Sequence, residues 1–286
     1  MNLVAVVLNW NGGDDTAAAL RSLAGIETIC VDNGSTDGSD DRVEREFPGV
    51  ELIRTGANLG FAGGNNVGIE RALERGADWV LLLNNDATAE PGLVDALRRA
   101  AERRPDAGML ACVILGETGV QYAGATFQAK LGYSGRVGTR VPGGVTDTDR
   151  ADGAAVAVSR AAIERAGVLD DSLFLYVEDV EWSLRVRESG FAVVVVPDAR
   201  VRHKGSAATG GRASTTNLYY DTRNTIIVAE RHAPLPVGLR GLRRAVVVGA
   251  HLAQAVSHPR RREAVRSVVE GWRDARAGRL GQRSSR

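Results

Sequence analysis

Apolar residues in the first hundred positions arrive as short unbroken runs, not as alternating ones. Leu3–Asn9 (LVAVVLN), residues 28–32 (TICVD), residues 50–54 (VELIR) and Trp79–Asn84 (WVLLLN) are rich in valine, isoleucine and leucine. Runs of this kind predict strands covered on both faces. Between and after them, helical spacing recurs over 14–23, 38–46, 65–75 and 91–103. Strand and helix alternating at this interval predict a parallel sheet with right-handed crossovers and helices on both faces.

Polar residues collect where the runs stop. The first leads into Asn9-Trp10-Asn11-Gly12, the second into Asp32-Asn33-Gly34-Ser35, the third into Asn58-Leu59-Gly60-Phe61 and the fourth into Asn84-Asn85-Asp86. Turn chemistry accounts for any one of these loops. Four of them at the carboxyl edge of one sheet mark the place where such sheets bind ligands.

Past residue 105 the pattern loosens. Residues 116–145 carry many glycines among alternating apolar and polar positions, which predicts hairpins and loops facing a substrate. Helices are expected at 159–166, 179–189 and 214–232, and two strands at 191–197 and 199–203. In the tail, Leu242, Val246, Gly249, Ala253 and Val256 recur at helical steps beside Arg240, Arg243 and Arg244, an amphipathic helix. Its apolar run is too short to span a bilayer and contains His251 and Gln254, so it either lies in a lipid interface or docks on the body. Residues 278–286 are expected to fray.

Charge sharpens this division. The 286 residues carry a net +1, yet the segment from Glu230 onward holds thirteen arginines and four acids, +9, against −8 for the first 229. A basic tail on an acidic body raises membranes and nucleic acid as partners. Nucleic acid is disfavoured because the arginines lack interleaved aromatics, Trp272 excepted. Cys30 and Cys112 have no metal or disulfide spacing, and the apolar amino terminus lacks a basic flank and the length of an export signal. A cytoplasmic location is the expectation.

No GxGxxG follows the first strand, no GxxxxGK[ST] is present, and there is no GxSxG elbow, which disfavours dehydrogenases, P-loop enzymes and hydrolases of that type. An arrangement of acids and amides remains. Asp86, at the mouth of a buried strand, suits a hard divalent cation that also binds phosphate oxygens. Glu178-Asp179 open a helix and His203 closes a strand, so together they can supply a metal site and a general base. Each also has a plainer role, as a turn, as acids at a helix start or as a strand end. Glu181 can simply pair with Arg185 one turn on.

In order along the chain, VAVVLNWNGG, CVDNGSTDGS, NLGFAGGNNVGI, LLLNNDA, LYVEDVEWSLRVRESGF and RVRHKGS resemble the inverting family 2 glycosyltransferases of the GT-A fold, most nearly their bacterial rhamnosyltransferase-like branch. The resemblance covers about residues 1–230. It implies an α/β, Rossmann-like nucleotide-diphospho-sugar transferase that moves a sugar from a nucleoside diphosphate sugar to an acceptor hydroxyl, with Mn2+ or Mg2+ as cofactor. Carried over residue by residue, Asn9, Trp10 and Asp32 match positions that hold base and ribose. Asn58, Gly60, Phe61 and Asn65 match a loop closing over nucleotide and sugar, with Gly60, Gly63 and Gly64 admitting the ligand to the backbone. Asn85 joins the donor-binding set.

LNNDA occupies the family's DxD position. Asp86 would be the retained metal ligand, Asn84 stands where many members have the first aspartate, and His203 matches a histidine that helps hold metal or diphosphate. Asp179 matches the catalytic base. Arg223, in a Tyr-Tyr-x-x-Arg-Asn run, is open to two readings, a diphosphate contact or a structural ion pair.

The expected organisation is a catalytic domain at 1–232, its nucleotide-binding half 1–104 and its acceptor half 105–232, followed by a basic helical tail at 233–286. The leading donors are dTDP-rhamnose and UDP-sugars. The acceptor would be a polyprenyl-linked saccharide of cell-surface polysaccharide or glycolipid synthesis, with peripheral contact at the inner face of the cell membrane and a homodimer as a further expectation. A natural-product acceptor and a non-catalytic sugar-nucleotide-binding subunit are the alternatives.

Overall fold

The structure is a computed structural model that describes residues 1–128, 130, 133–205 and 214–284. The amino-terminal half builds as the apolar runs predict: β1 (Leu3–Asn9), α1 (Gly13–Ser22), β2 (Glu27–Asp32), α2 (Ser39–Glu46), β3 (Glu51–Arg54), α3 (Gly60–Glu74), β4 (Trp79–Asn84), β5 (Ala87–Ala89) and α4 (Leu93–Arg103). The chain continues with β6 (Ala107–Gly116), β7 (Gly119–Tyr122), β8 (Ala125–Gln128), β9 (Tyr133–Val137), β10 (Thr146–Asp147), β11 (Ala155–Ser159), α5 (Arg160–Ala166), α6 (Glu178–Glu188), β12 (Ala192–His203) and α7 (Thr215–His232). Two further helices, α8 (Val237–Val256) and α9 (Arg261–Arg276), form the tail.

One sheet runs β10-β12-β6-β11-β4-β1-β2-β3, with β5 added to β12 and β7 to β6. Strands β3, β2, β1 and β4 are parallel neighbours, and β12 lies parallel to β6. The sheet is mixed beyond them, because β11 enters antiparallel between β4 and β6. That reversal puts the start of β11 on the same edge as the ends of β1 and β4. Two buried cores clothe the sheet: Val4, Val6, Ile69 and Trp182 pack on the face covered by α3, α5 and α6, and Leu20, Leu83, Leu97 and Leu110 on the face covered by α1, α2 and α4. The order reverses between β1 and β4, and a cleft opens above their carboxyl ends, as the topology requires.

Three expectations are corrected. The segment Gly60-Phe-Ala-Gly-Gly is not a loop but the first turn of α3. Its glycines serve packing: a Cβ on Gly64 would lie 2.5 Å from Leu8 Cδ1, and one on Gly60, whose φ is +77°, would lie 2.3 Å from the Phe174 carbonyl. The two strands expected at 191–203 are the single β12, with a bulge between Val196 and Arg200 where Pro197 has no N–H for the ladder. Finally, the segment beyond Arg276 is docked as far as Arg283, while residues 285 and 286 lie outside the described residues. Gly281 N–H donates to the Ser172 carbonyl at 2.6 Å, and Arg283 N–H donates to Tyr220 Oη at 2.8 Å.

The tail is part of the body. Leu218, Ala255, Ala264 and Val268 share one buried cluster, and Ile226, Val247 and Ala275 another, so α8 and α9 pack on α7. The stripe expected to make α8 amphipathic is not the side that docks. Arg243, Val247, His251 and Ala255 face the body, while Leu242, Val246, Gly249, Ala253 and Val256 face outward.

Candidate active site

The cleft has a volume of about 1180 Å³ and is lined from both halves of the chain. Trp10, Asn58, Gly60, Phe61, Asn85, Asp86, Asp179 and His203 share its wall. Chain reversal at the end of β4 joins Asp86 to His203. Strand β5 pairs antiparallel with β12 so that Ala87 faces His203, and Lys204 N–H donates to the Asp86 carbonyl at 3.1 Å. His203 Nε2 then lies 3.1 Å from Asp86 Oδ1, with the two side chains 12% and 11% exposed.

Asn9, Asp32 and Asn65 sit behind this wall. Asn9 is fully buried: its Nδ2 lies 2.9 Å from Asp32 Oδ1 and 2.8 Å from Ser39 Oγ, and its Oδ1 accepts from Thr16 Oγ1 at 2.6 Å. Asp32 also accepts from Ser35 N–H at 3.1 Å. These bonds knot the loops after β1 and β2 into one edge, which satisfies polar groups that would be costly to bury alone. Asn65 Nδ2 donates to the Phe61 carbonyl at 2.9 Å, inside α3. Asn33, which the sequence reading passed over, lines the cleft and accepts from Leu59 N–H at 2.9 Å.

The acids of α6 are aimed by an unusual segment. Phe174, Tyr176 and Val177 have φ of 66°, 63° and 72°, a left-handed conformation costly for a β-branched valine. Leu175 N–H donates to the Leu173 carbonyl at 2.8 Å, a γ-turn centred on Phe174. The segment is held from α7. Asn224 Nδ2 lies within 3.0 Å of the Leu173, Leu175 and Tyr176 carbonyls. Arg223, only 1% exposed, donates to the Leu173 carbonyl at 2.8 Å, the Gly281 carbonyl at 2.6 Å and Asn224 Oδ1 at 2.8 Å. Its guanidinium also lies 4.9 Å from the centre of the Tyr220 ring. Three of the five guanidinium N–H groups of Arg223 thus serve the protein interior, and the side chain is not among those lining the cleft.

Asp179 Oδ2 accepts from Gly153 N–H at 3.0 Å and lies 3.9 Å from Arg150 Nη1. Burial pushes the Asp179 carboxyl above the usual aspartate range against the pull of the Arg150 charge, and Asp152 adds to the rise. Glu178 is pushed well up, first by burial and then by the neighbouring Asp179 charge. A carboxylate kept partly short of solvent and raised in this way is suited to take a proton. Arg150, Asp152 and Gly153 escaped the sequence reading. The signal was there in Arg-Ala-Asp-Gly immediately before the apolar β11, but only antiparallel entry of that strand brings it to the active edge.

Asp86 and His203 fit a divalent cation by their chemistry, one hard oxygen donor and one imidazole nitrogen. Among the described residues there is no cluster of three or more His, Cys, Asp or Glu that could hold one alone. Diphosphate oxygens and water would have to complete such a coordination shell, as is usual for Mg2+. Cys30 and Cys112 are free and buried, each thiol pushed up to about 12 by burial, and take no part.

A mixed α/β sheet with its acids, amides and one imidazole at the carboxyl edge defines a GT-A type glycosyltransferase. Residues 5–145 match the family model described as glycosyl transferase family 2. The N-acetylglucosaminyl-diphospho-decaprenol L-rhamnosyltransferase of Mycobacterium tuberculosis is 30% identical over 94% of this chain and 98% of its own length. The chain belongs to glycosyl transferase family 2 and is a glycosyltransferase. It is also similar to the dTDP-rhamnosyl transferase RfbF of Shigella flexneri, 24% identical over 84% of each chain. In fold it resembles the mannosyltransferase PcManGT from Pyrobaculum calidifontis solved with GDP-Man and Mn2+, at a TM-score of 0.59 and 16% identity over 96% of this chain and 75% of that one.

Proposed function

We propose that the protein is an inverting rhamnosyltransferase that uses dTDP-rhamnose and glycosylates a polyprenyl-linked saccharide in cell-surface polysaccharide or glycolipid synthesis. The observation that carries the chemistry is the meeting of Asp179 with the Asp86–His203 pair in one cleft. The two rhamnosyltransferase relatives support the donor, and the decaprenol-linked acceptor in the first relative's name supports the acceptor. In this reading the enzyme works in the cytoplasm, at the inner face of the cell membrane.

The donor's nucleotide lies against Trp10 and Asn58, over the edge that Asn9 and Asp32 tie together. Asp86 and His203 hold Mn2+ or Mg2+, which when bound offsets the charge growing on the departing diphosphate. Asp179 takes the proton of the acceptor hydroxyl as that oxygen bonds to the anomeric carbon. The bond to the nucleoside diphosphate breaks on the opposite face, so the configuration inverts. A thermal-shift screen of dTDP-, UDP- and GDP-sugars with Mn2+ tests the donor, with stabilisation by dTDP-rhamnose expected and preference for a GDP-sugar counting against it.

Two variants probe the parts separately. Asp86→Ala is expected to weaken metal-dependent donor binding about 10- to 100-fold while leaving the fold intact, because it removes the charged ligand of a two-residue site. Equal donor affinity in chelator and in Mn2+ would end the metal assignment. Arg150→Gln removes a positive charge that favours the Asp179 carboxylate. The acid limb of the rate profile, already above the usual aspartate range, should move further up, so activity falls most at low pH and recovers as pH rises. A rate profile with donor saturating reads this directly, and an unmoved limb would separate Arg150 from the base.

A further inference from the structure

The outward face of α8 has no counterpart in the transfer chemistry. Leu239, Leu242, Val246 and Val256 are 51%, 63%, 54% and 48% exposed, and Gly249 and Ala253 lie among them on the same side. A helix of this length is about 30 Å long, and an apolar stripe along it is unusual on a free surface. Beyond its carboxyl end stand Arg260, Arg261 and Arg262, all exposed. The helix itself contains no acid. The opposite face is already committed to the body through Val247, His251 and Ala255, so the stripe is not a misplaced core.

We infer that α8 lies in the interface of an anionic bilayer, its stripe among the acyl chains and its flanking arginines on the headgroups. None of the described helices is long and apolar enough to cross a membrane, which leaves the in-plane mode of lipid contact. Charge selects lipid over a second copy of the chain. A two-fold pairing of stripes would bring the arginines of two +9 tails together, whereas an anionic surface neutralises them. The position also has a use. Gln254, in the last turn of α8, lines the cleft, so a docked helix holds the cleft mouth beside the bilayer. This last link rests on the proposed lipid-linked acceptor, while the surface itself does not.

The test uses the full chain in co-sedimentation with vesicles of phosphatidylcholine alone and of phosphatidylcholine with phosphatidylglycerol. Binding is expected to be at least about tenfold tighter to the anionic vesicles and to weaken with salt. The double variant L242E/V246E should lose at least about tenfold in that binding with an unchanged melting temperature, since both side chains are exposed. Equal binding by variant and parent, or indifference of the parent to anionic lipid, overturns the inference. So does a concentration-dependent dimer, seen by sedimentation, that L242E/V246E abolishes. Turnover of dTDP-rhamnose on a water-soluble acceptor, measured in both chains, separates the two readings. Vesicle binding without turnover in either chain would defeat the proposed transfer and leave the lipid surface standing.

Discussion

Asp179→Asn is expected to lower kcat about a thousandfold while changing donor affinity by less than about threefold, within the range assigned to a positioned general base. Asparagine has the same shape and still offers an oxygen to Gly153 N–H, so the loop keeps its aim. It cannot receive a proton, so the step it blocks is activation of the acceptor hydroxyl. Glu178→Gln provides the contrast. Burial favours the uncharged acid at Glu178, which glutamine imitates, and the expected change is under about threefold. Initial rates at saturating donor, with donor affinity measured by titration, decide the matter. Turnover retained by Asp179→Asn would remove Asp179 as base.

The second large effect lies at a residue that touches no ligand. Asn224→Leu keeps the branched four-atom side chain but withdraws the amide from the carbonyls of Leu173, Leu175 and Tyr176. The Leu173 carbonyl keeps Arg223 and Leu175 N–H, so the loss falls on the part-buried carbonyls of Leu175 and Tyr176, about 2–3 kcal/mol in all and a fall in Tm of roughly 4–12 °C. With the left-handed backbone at Val177 released, Asp179 loses its aim, and kcat should fall at least about tenfold with donor KM unmoved. Arg223→Lys tests the same clamp, because an ammonium cannot span the Leu173 and Gly281 carbonyls as the guanidinium fork does. A higher donor KM with Tm unchanged would restore the diphosphate reading of Arg223.

The parallel half was legible because strands buried on both faces leave an unambiguous trace: LVAVVLN and WVLLLN became β1 and β4 over the predicted residues. The loops at their ends were legible for a related reason, since Asn, Asp and Gly gathered where a sheet of this kind meets ligand. Gly60-Phe-Ala-Gly-Gly was misread because glycine is a poor helix former in isolation, and only the approach of α3 to Leu8 and Phe174 explains its presence in a helix. No local pattern announces that Val177 turns left-handed. That conformation is imposed by Asn224, forty-seven residues later, and by Arg223 beside it. In the tail, spacing correctly identified an apolar side of α8 but not which side meets the body, because the docking face uses Arg243 and His251 among its buried residues.

The docked segment around Gly281 changes how the enzyme comes into being. The sheet, the Asp86–His203 pair and the edge tied by Asn9 and Asp32 are all encoded before residue 204, but the carbonyl that receives Arg223 and the amide that reaches Ser172 belong to residue 281. During synthesis the sheet can therefore form while that glycine is still inside the ribosome. The segment that aims Asp179 gains its last fastening only once the tail has emerged and folded back, so in the proposed mechanism a nascent chain would pass through a stage with its donor edge formed and its base not yet fully braced.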